Sequence, residues 1–534
     1  MQSRKLALAS GHSLTGQRVA LNLCLLSIEQ NGRGACTAAG VHQSHDALRK
    51  SGIPRLALDA DFVKVKILHR EGRDREALAV MEGLIGEILF FRQSLPGLLG
   101  AWYWQNKGEI FQEYLAITLK AADGRRVLLA LDHIRVVEGE DLVANGGRDE
   151  ALRVLLAQRE AASGAKTVDL AAQVNGGLAK IREAFDPAIK PLDTRSLDQL
   201  LAGLDQDESL ISYYFSKPAD YVVVGNSKGV KLMKLGGAET VSDRLDQLRE
   251  RFGQDTPSLL AELDAVGRRL LKPVAGLLTQ KIFLLPAGPL NGFPFDVLRL
   301  DGQFLAEKHN VVNLMNLAAV ANRRPVLDPG YRERVYLAGN PQSGQELFSY
   351  DVQVSAEIAA LTDIFVGPGL HIVQGVALRK DEFQDERFSG ASLIHLATPG
   401  ALDLAFPDRS RLLMSRTSND SAAENLSPRD ISRLNFNAEL LVLSRTAVTA
   451  ASRSGFDNRL GFVSEFLEAG VSNIVVSLWT GGDVETAAFM REFYDDLEST
   501  RNVAEALFRT RMRQMETSNQ ANFRSWAGFQ LFIR

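Results

Sequence analysis

The first part of the chain, from about residue 12 to residue 190, has the hydrophobic spacing of amphipathic helices and no convincing strand. Its clearest pair of helices is separated by a Gly72-Arg73-Asp74 turn. One apolar stripe precedes this turn and a longer one follows it, formed by Phe62, Val65 and Leu68 and then by Ala77, Leu78, Met81, Leu84, Ile85 and Ile88. Further helices are predicted around residues 101–119 and from residue 125. The pattern predicts an all-helical region.

The turn and the Glu76-Ala77-Leu78 sequence after it resemble one tetratricopeptide unit, in which small residues let paired helices approach closely. No clean repeat of about 34 residues runs through the segment. We predict a tetratricopeptide-like region over residues 1–195. Its apolar stripes are interpreted as interhelical core, and the alternative is a peptide-binding groove, because stacked helix pairs form concave surfaces.

The hydrophobic period changes after Pro187 and Pro191. Strands are predicted at 209–215, 220–224 and 230–235, as an edge hairpin or meander, followed by helices at 241–252 and 257–278. Strands then alternate with helices, with strands at 281–285, 334–338, 371–373, 392–396, 440–443 and 471–478 and helices at 354–365, 460–467 and 483–497. This alternation predicts a mainly parallel sheet flanked by helices over residues 196–534.

Two of the predicted strands, 392–396 and 440–443, end abruptly in small polar residues. Ligands and catalytic groups collect at the carboxyl ends of parallel strands, so Pro399 and Thr446 are predicted to face one cleft. The polar segment 403–425 is predicted to be a surface loop near it. Neither Pro399 nor Thr446 is a usual catalytic residue.

The composition is that of an ordinary globular protein. Its 534 residues suffice for two to four domains at roughly 100 to 200 residues each. A net charge of −4 gives no basis for binding nucleic acid or an anionic membrane, because those partners need a concentrated basic surface. The N-terminal apolar run is too short and too broken for a secretory signal, and no stretch approaches the roughly 18 apolar residues of a membrane span.

The chain has two cysteines, Cys24 and Cys36. A single disulfide in so large a chain would be unusual, so a reducing, cytoplasmic location is predicted. His42 and His45 would complete a set of four zinc ligands, but eleven residues separate the two cysteines, far more than in ordinary zinc sites. The glycine cluster at 225–229 lacks the spacing of a phosphate-binding loop. We therefore expect no metal and no other cofactor.

A series of motifs within residues 200–534 resembles the CHAT domain, which belongs to the caspase and separase group of cysteine peptidases and commonly follows tetratricopeptide helices. The motifs occur in the family's order and are IFLLPAGPL (282–290), FPF (293–295), HLAT (395–398), LVLS (441–444), FLEAG (466–470), SLW (477–479) with Asp483, Met490 with Phe493-Tyr494, and WAGF (526–529). The resemblance implies a caspase-like α/β domain.

The resemblance also implies where a catalytic dyad would lie. The family has a His before the glycine where this chain has Pro399-Gly400, and a Cys after Leu-Ser-Ala where this chain has Ser444-Arg445-Thr446. Attack on a peptide carbonyl needs a thiolate with a base beside it. Pro399 has no ionisable group, and the Thr446 hydroxyl is too weak an acid to act without a base. By analogy with serine-protease knockouts, loss of the nucleophile costs about 10⁶-fold in kcat, so we expect no catalytic residue.

Five residues remain as candidates to line the cleft, namely His395, Gly400, Ser444, Arg445 and Asp483. His395 lies ~13 Å along an extended chain from the family's histidine position, and is interpreted as packing in the sheet rather than as a replacement base. Ser444 is expected to bond nearby backbone rather than act as a nucleophile. Gly400 would offer its N–H as an oxyanion-hole donor, as the family implies. Asp483 is interpreted as a helix N-cap, with a cleft-facing role as the alternative.

The leading hypothesis is a CHAT pseudopeptidase that binds a protein or peptide as a scaffold or regulatory subunit, as a homo- or hetero-oligomer, in a bacterial system as the family's company implies. Two alternatives stay open. The first is a hydrolase that uses Thr446 or Ser444 as the nucleophile, and the second is an inactive partner of an active CHAT peptidase.

Overall fold

The computed structural model of the chain describes residues 13–29, 41–94, 100–139, 158, 166–183, 192–216, 219–236, 241–252, 257–342, 352–403, 409–416, 425–450, 461–479, 483–517 and 523–534. The chain divides into two compact units, Met1–Pro191 and Leu192–Arg534. The predicted domain boundary between residues 195 and 196 falls inside a helix of the second unit, Thr194–Ala202, and stays a prediction.

The N-terminal unit is helical in its described residues, which confirms the predicted all-helical region. Its helices are α1 (Ser13–Glu29), α2 (His42–Arg49), α3 (Pro54–Arg70), α4 (Asp74–Ser94), α5 (Gly100–Lys120), α6 (Gly124–Gly139) and α7 (Lys166–Glu183). Helices α5 and α6 correspond to the helices predicted around residues 101–119 and from residue 125.

Helices α3 and α4 form the predicted pair. Gly72 adopts a left-handed backbone with φ of +77°, and the Arg73 N–H donates to the Leu68 carbonyl over 2.9 Å, which ends α3 and reverses the chain. All residues of the two predicted apolar stripes are buried. The helix pair is therefore confirmed, while its tetratricopeptide likeness stays a prediction.

Cys24 corrects one expectation from the sequence. It lies buried in α1 and is disulfide-bonded. The chain has one other cysteine, Cys36, which lies outside the described residues. The expectation of unbridged cysteines is wrong because disulfide use depends on the local approach of two sulfurs as well as on chain size. The cysteine count therefore gives no support for a reducing compartment.

The C-terminal unit is built on a large, mainly parallel sheet. Its strands are β1 (Glu208–Tyr214), β2 (Asp220–Asn226), β3 (Gly229–Leu235), β4 (Lys281–Leu285), β5 (Arg299–Leu300), β6 (Gln303–Phe304), β7 (Asn310–Leu314), β8 (Val335–Gly339), β9 (Leu370–Gln374), β10 (Leu393–Ala397), β11 (Gly400–Asp403), β12 (Arg411–Leu413), β13 (Asn425–Leu426), β14 (Leu440–Leu443), β15 (Thr446–Ala450), β16 (Asn473–Ser477) and β17 (Phe529–Ile533).

Eleven of these strands form the main sheet, in the order β3-β2-β1-β4-β7-β17-β16-β14-β10-β8-β9. All neighbouring pairs are parallel except β1–β2, β2–β3 and β16–β17. The predicted meander is β1 to β3, at one edge. Strands β13, β12, β11 and β15 form a second sheet, and β5 pairs with β6. The predicted fold class is confirmed.

Helices flank the main sheet. They are α8 (Thr194–Ala202), α9 (Val241–Arg251), α10 (Pro257–Leu271), α11 (Ala318–Asn322), α12 (Val352–Ile364), α13 (Glu386–Ser389), α14 (Pro428–Ile431), α15 (Phe462–Glu468), α16 (Asp483–Thr500), α17 (Val503–Thr517) and α18 (Phe523–Trp526). Helix α12 packs against α16 and against strands β8 and β10. No described helix is long and apolar enough to cross a membrane.

The observed elements differ from the predicted ones in three places, and each difference has a physical reason. Helix α10 ends at Leu271 instead of residue 278 because Pro273 has no N–H to continue the helical hydrogen bonds. Strand β7 was missed because Asn310 and Asn313 interrupt its short apolar run, and β17 was missed because its place between β16 and β7 depends on contacts distant in the sequence. The predicted polar loop 403–425 contains strand β12, whose Leu412 is fully buried.

Candidate functional site

Strands β10 and β14 lie side by side in the main sheet, as their polar ends predicted. They run parallel, with His395 opposite Val442 and Leu396 opposite Leu443. Beyond these strands the chain passes into the second sheet, where β11 begins at Gly400 and β15 at Thr446. These two strands are also parallel. The two positions predicted for the family's dyad, Pro399 and Thr446, therefore lie next to each other at a junction between the two sheets.

Thr446 is held by the main sheet. Its hydroxyl donates to the Ser477 carbonyl at the end of β16 over 2.5 Å, and the residue has no exposed surface. Pro399, at the position predicted for the family's histidine, is half-buried, and its carbonyl accepts the Leu413 N–H over 2.9 Å. Thr446 and Pro399 therefore both form hydrogen bonds within the protein at this junction, Thr446 to a backbone carbonyl and Pro399 to a backbone N–H.

Gly400 packs directly against Thr446 and has no room for a side chain. A Cβ atom there would lie 2.9 Å from the Thr446 Cγ2 atom and 2.5 Å from the Leu412 Cδ2 atom. The Gly400 N–H donates to the Arg445 carbonyl over 3.1 Å. The N–H that was expected to act as an oxyanion-hole donor is therefore used inside the protein, because β11 and β15 pair as strands.

A buried ionic cluster lies behind this junction, and its central carboxylate was missed by the sequence analysis. Glu357 of α12 places Oε1 3.0 Å from the Nε2 atom of His395. Its Oε2 atom accepts from Nε and Nη2 of Arg445 over 3.1 and 2.9 Å. Glu357 and His395 are fully buried and Arg445 is 6% exposed. An acidic residue three positions after Val354 and one before Ile358, both buried, was the available signal.

His395 uses both of its ring nitrogens in this cluster. The Tyr494 hydroxyl of α16 lies 3.0 Å from Nδ1, while Nε2 faces the Glu357 carboxylate. A carboxylate can only accept, so this pattern fits a neutral imidazole with its proton on Nε2 and a hydroxyl donating to Nδ1. Side chains alternate along β10, which points His395 away from Ile394 and Leu396 and toward α12 and α16. The interpretation of His395 as a packed residue agrees with this geometry.

Electrostatics define the charge state of the cluster. Burial disfavours ionisation of Glu357, but the hydrogen bond from His395 and the charge of Arg445 outweigh it, so the pKa of the carboxyl lies below its usual value. Burial also raises the pKa of Tyr494 well above its usual value, with the nearby Glu357 charge adding to the effect. Glu357 is therefore a carboxylate and Tyr494 a neutral hydroxyl donor at neutral pH.

The last two predicted residues lie at the margins of the site. Ser444 is buried, and the expected hydrogen bond between its hydroxyl and nearby backbone is not found among the described residues. Asp483 is the first residue of α16, and its side chain lies outside the described part. His395, Ser444 and Arg445 are thus enclosed rather than open to solvent.

The strand-end site brings together no group of three metal ligands among the described residues. Such a group occurs in the N-terminal unit, where His42, His45 and Asp46 lie together. Glu357, His395 and Arg445 are instead mutually satisfied by hydrogen bonds. The chemistry that the strand-end site supports is therefore structural cross-linking of β10, β14 and α12.

A mainly parallel sheet flanked by helices, with polar residues at the ends of β10 and β14, defines an α/β protein. The family model of the CHAT domain matches residues 245–533, and the chain belongs to that family. No curated protein matches the chain.

Solved structures of cysteine peptidases are similar to the chain at low identity. Separase in its complex with securin from Saccharomyces cerevisiae is 10% identical, with a TM-score of 0.42, and the match covers 97% of this chain and 47% of that chain. The Arg-specific cysteine proteinase gingipain R is 10% identical, with a TM-score of 0.31, and the match covers 55% of this chain and 73% of the gingipain chain. The chain spans about half the length of the separase chains that it matches.

Proposed function

We propose that this CHAT protein is a pseudopeptidase that acts as a protein-binding, scaffold or regulatory subunit. The observation that carries the proposal is the Thr446 hydroxyl, which is buried and donates its proton to the Ser477 carbonyl. A nucleophile must give its proton to a base, and a carbonyl oxygen cannot take it. The neighbouring base position is Pro399, which has no ionisable group.

His395 does not support a replacement mechanism. Its Nε2 is committed to Glu357 and its Nδ1 to Tyr494, both in the interior. A general base must lie within hydrogen-bond reach of the proton that it removes. Among the described contacts of Thr446, the partner of its hydroxyl is Ser477. These contacts favour the pseudopeptidase over a hydrolase that uses Thr446.

The N-terminal unit supports the binding part of the proposal. A small groove lies between its helices, lined by Arg49, Gly52, Ile53, Pro54, Ala57, Leu58, Asp61, Glu87, Phe91, Asn175 and Leu178. Its walls combine polar and apolar side chains, which suits a peptide side chain that is held by apolar packing together with ionic contacts. We propose this groove as the peptide-binding surface of the tetratricopeptide-like region.

The catalytic half of the proposal is tested with electrophilic peptide probes and a peptide library. The native protein should form no covalent adduct and cleave no peptide. An adduct at residue 444 or 446 that disappears in Ser444→Ala or Thr446→Ala would overturn the proposal and establish the hydrolase.

The binding half is tested by selecting peptides on the immobilised native protein and measuring their affinity by fluorescence anisotropy. Asn175→Trp places a large side chain at the groove and should weaken binding at least tenfold. Gln173→Trp lies on the same helix, is exposed and does not line the groove, so it is the matched control. Equal affinity for both variants would exclude the groove. Recovery of an active CHAT peptidase with the native protein from its host would instead favour the inactive-partner alternative.

A further inference from the structure

A second histidine and carboxylate group lies on helix α2 of the N-terminal unit. His42 and Asp46 are one turn apart, with 3.5 Å between His42 Nε2 and Asp46 Oδ2. His45 places Nδ1 3.1 Å from the other oxygen, Asp46 Oδ1. One ligand atom from each of the three side chains lies within 4.8 Å of the others. Donor atoms around a single zinc ion, at about 2.0–2.2 Å from it, have similar mutual separations after small side-chain adjustments.

Asp61 of helix α3 orients His45. Its Oδ1 atom lies 2.7 Å from His45 Nε2, and its Oδ2 atom accepts from Arg49. Asp61 and His45 are both more than nine-tenths buried. The carboxylate can only accept, so His45 Nε2 carries a proton and donates it to Asp61. Histidine ligands of metals are commonly oriented by such a carboxylate on the far nitrogen.

The near nitrogen of His45 then faces a group that cannot donate to it. In a neutral imidazole with the proton on Nε2, Nδ1 has a lone pair, and Asp46 Oδ1 also has only lone pairs. Two acceptors 3.1 Å apart repel each other unless a positive species binds both. A metal ion satisfies the two atoms. A second proton on His45 also does, and the experiment below separates these two cases.

We propose that His42, His45 and Asp46 bind one divalent transition-metal ion of the zinc type, through two imidazole nitrogens and one carboxylate oxygen. Imidazole ligands select zinc, nickel or copper over magnesium or calcium. The side chains of His42 and Asp46 are 67% and 41% exposed, so the ion enters from solvent and keeps water in its remaining position. Cys24 is disulfide-bonded and is not part of this ligand set.

Binding would also strengthen the existing contact between helices α2 and α3. His45 would link the ion on α2 to Asp61 on α3, so the metal stabilises the contact between these helices. The charges around the group are compatible with a dication, since Arg49 is paired with Asp61 and Asp46 lies between the two imidazoles.

The test uses the full-length protein, stripped with a chelator and dialysed. Titration with Zn²⁺ in a calorimeter should give one ion per chain, and Co²⁺ should give visible absorption bands from a site with nitrogen ligands. His42→Ala, at an exposed position, and Asp46→Asn should each weaken Zn²⁺ binding at least tenfold. Asp61→Asn should weaken it by about 10–100-fold, the range for residues that orient a ligand.

His69→Ala is the matched control. His69 lies in the same unit and pairs with a carboxylate, with 3.1 Å between its Nδ1 atom and Glu113 Oε1, but has no second histidine in that pair. It should leave Zn²⁺ binding unchanged. Absence of saturable binding up to millimolar Zn²⁺ would mean that a proton fills the place between His45 and Asp46, and would overturn the proposal. Binding that survives His42→Ala and Asp46→Asn would overturn it too, because the ion would lie elsewhere.

Discussion

The two units of the protein contain histidine clusters of the same construction with one different partner. In the C-terminal unit His395 Nε2 faces the buried Glu357, which Arg445 also holds. In the N-terminal unit His45 Nε2 faces the buried Asp61, which Arg49 also holds. The difference lies at Nδ1. It meets the Tyr494 hydroxyl in the first cluster and a carboxylate of Asp46 in the second.

The group that faces Nδ1 decides whether the cluster is complete or can accept a ligand. A hydroxyl can donate to the Nδ1 lone pair, so the His395 cluster is satisfied without any added species. A carboxylate cannot donate, so the His45 cluster needs either a metal ion or a second proton on His45. Solvent exposure follows the same division, because the His395 cluster is buried whereas His42 and Asp46 are open. A histidine, a buried carboxylate and an arginine are therefore structural in one unit and part of a candidate binding site in the other.

The largest expected effect comes from breaking the closed cluster at Arg445. The substitution Arg445→Ala leaves the Glu357 charge buried without its guanidinium partner and should lower the free energy of unfolding by about 3–5 kcal/mol. Urea unfolding of the full-length protein measures it. Arg509→Ala removes a surface ion pair with Glu505 and serves as the control, with an expected change of about 0.5 kcal/mol or less. A loss below about 1 kcal/mol for Arg445→Ala would contradict the account.

A smaller effect is expected at Tyr494. The substitution Tyr494→Phe removes the donor to His395 Nδ1 and leaves a buried acceptor unsatisfied, which should cost about 1–3 kcal/mol. Tyr336→Phe is a matched control, because the Tyr336 hydroxyl is buried without a hydrogen-bond partner in the described residues. Its removal should be neutral or stabilising. Thermal and urea unfolding of the two variants compare them directly, and equal losses would show that the Tyr494 hydroxyl has no special role.

The pH dependence of the free energy of unfolding should report the ionisation of Glu357. Its pKa is lowered in the folded protein, so the unfolded chain takes up the proton first as the pH falls. The stabilisation is fully present above the usual carboxyl pKa of about 4.3 and is lost as the pH falls from there through the folded value. Unfolding free energies measured between pH 3 and 7 should therefore fall less steeply with acid in Glu357→Gln than in the native protein. An unchanged slope would contradict the assigned charge state.

Much of the fold follows from the hydrophobic pattern, and the site follows only in part. The meander β1 to β3 is predictable because its β-branched and aromatic runs are bounded by turn residues, and strands β4 and β14 are predictable because they are short continuous apolar runs. Strand β17 is not, because its place between β16 and β7 depends on contacts distant in the sequence. Strand alternation also predicts that His395 faces the opposite side of the sheet from Ile394 and Leu396.

Glu357 and Asp61 are harder to predict, since each is a charged residue that the fold buries against a partner on another element. A carboxylate at such a position indicates a buried partner, but the sequence does not say which residue pairs with it. Arg445 was recognised as a departure from the family motif, yet its partner lies 88 residues away in the chain. The disulfide of Cys24 was likewise not predictable from two widely spaced cysteines.

The most direct measurement compares peptide cleavage by the native protein with cleavage by the double variant Pro399→His, Thr446→Cys. The account predicts no turnover by the native protein, which has no base at position 399 and no thiol at position 446. It predicts little or no turnover by the double variant too, because residue 446 is buried and the Gly400 N–H is paired with the Arg445 carbonyl. Cleavage by the double variant alone would show that peptides reach the strand ends, and cleavage by the native protein would contradict the pseudopeptidase.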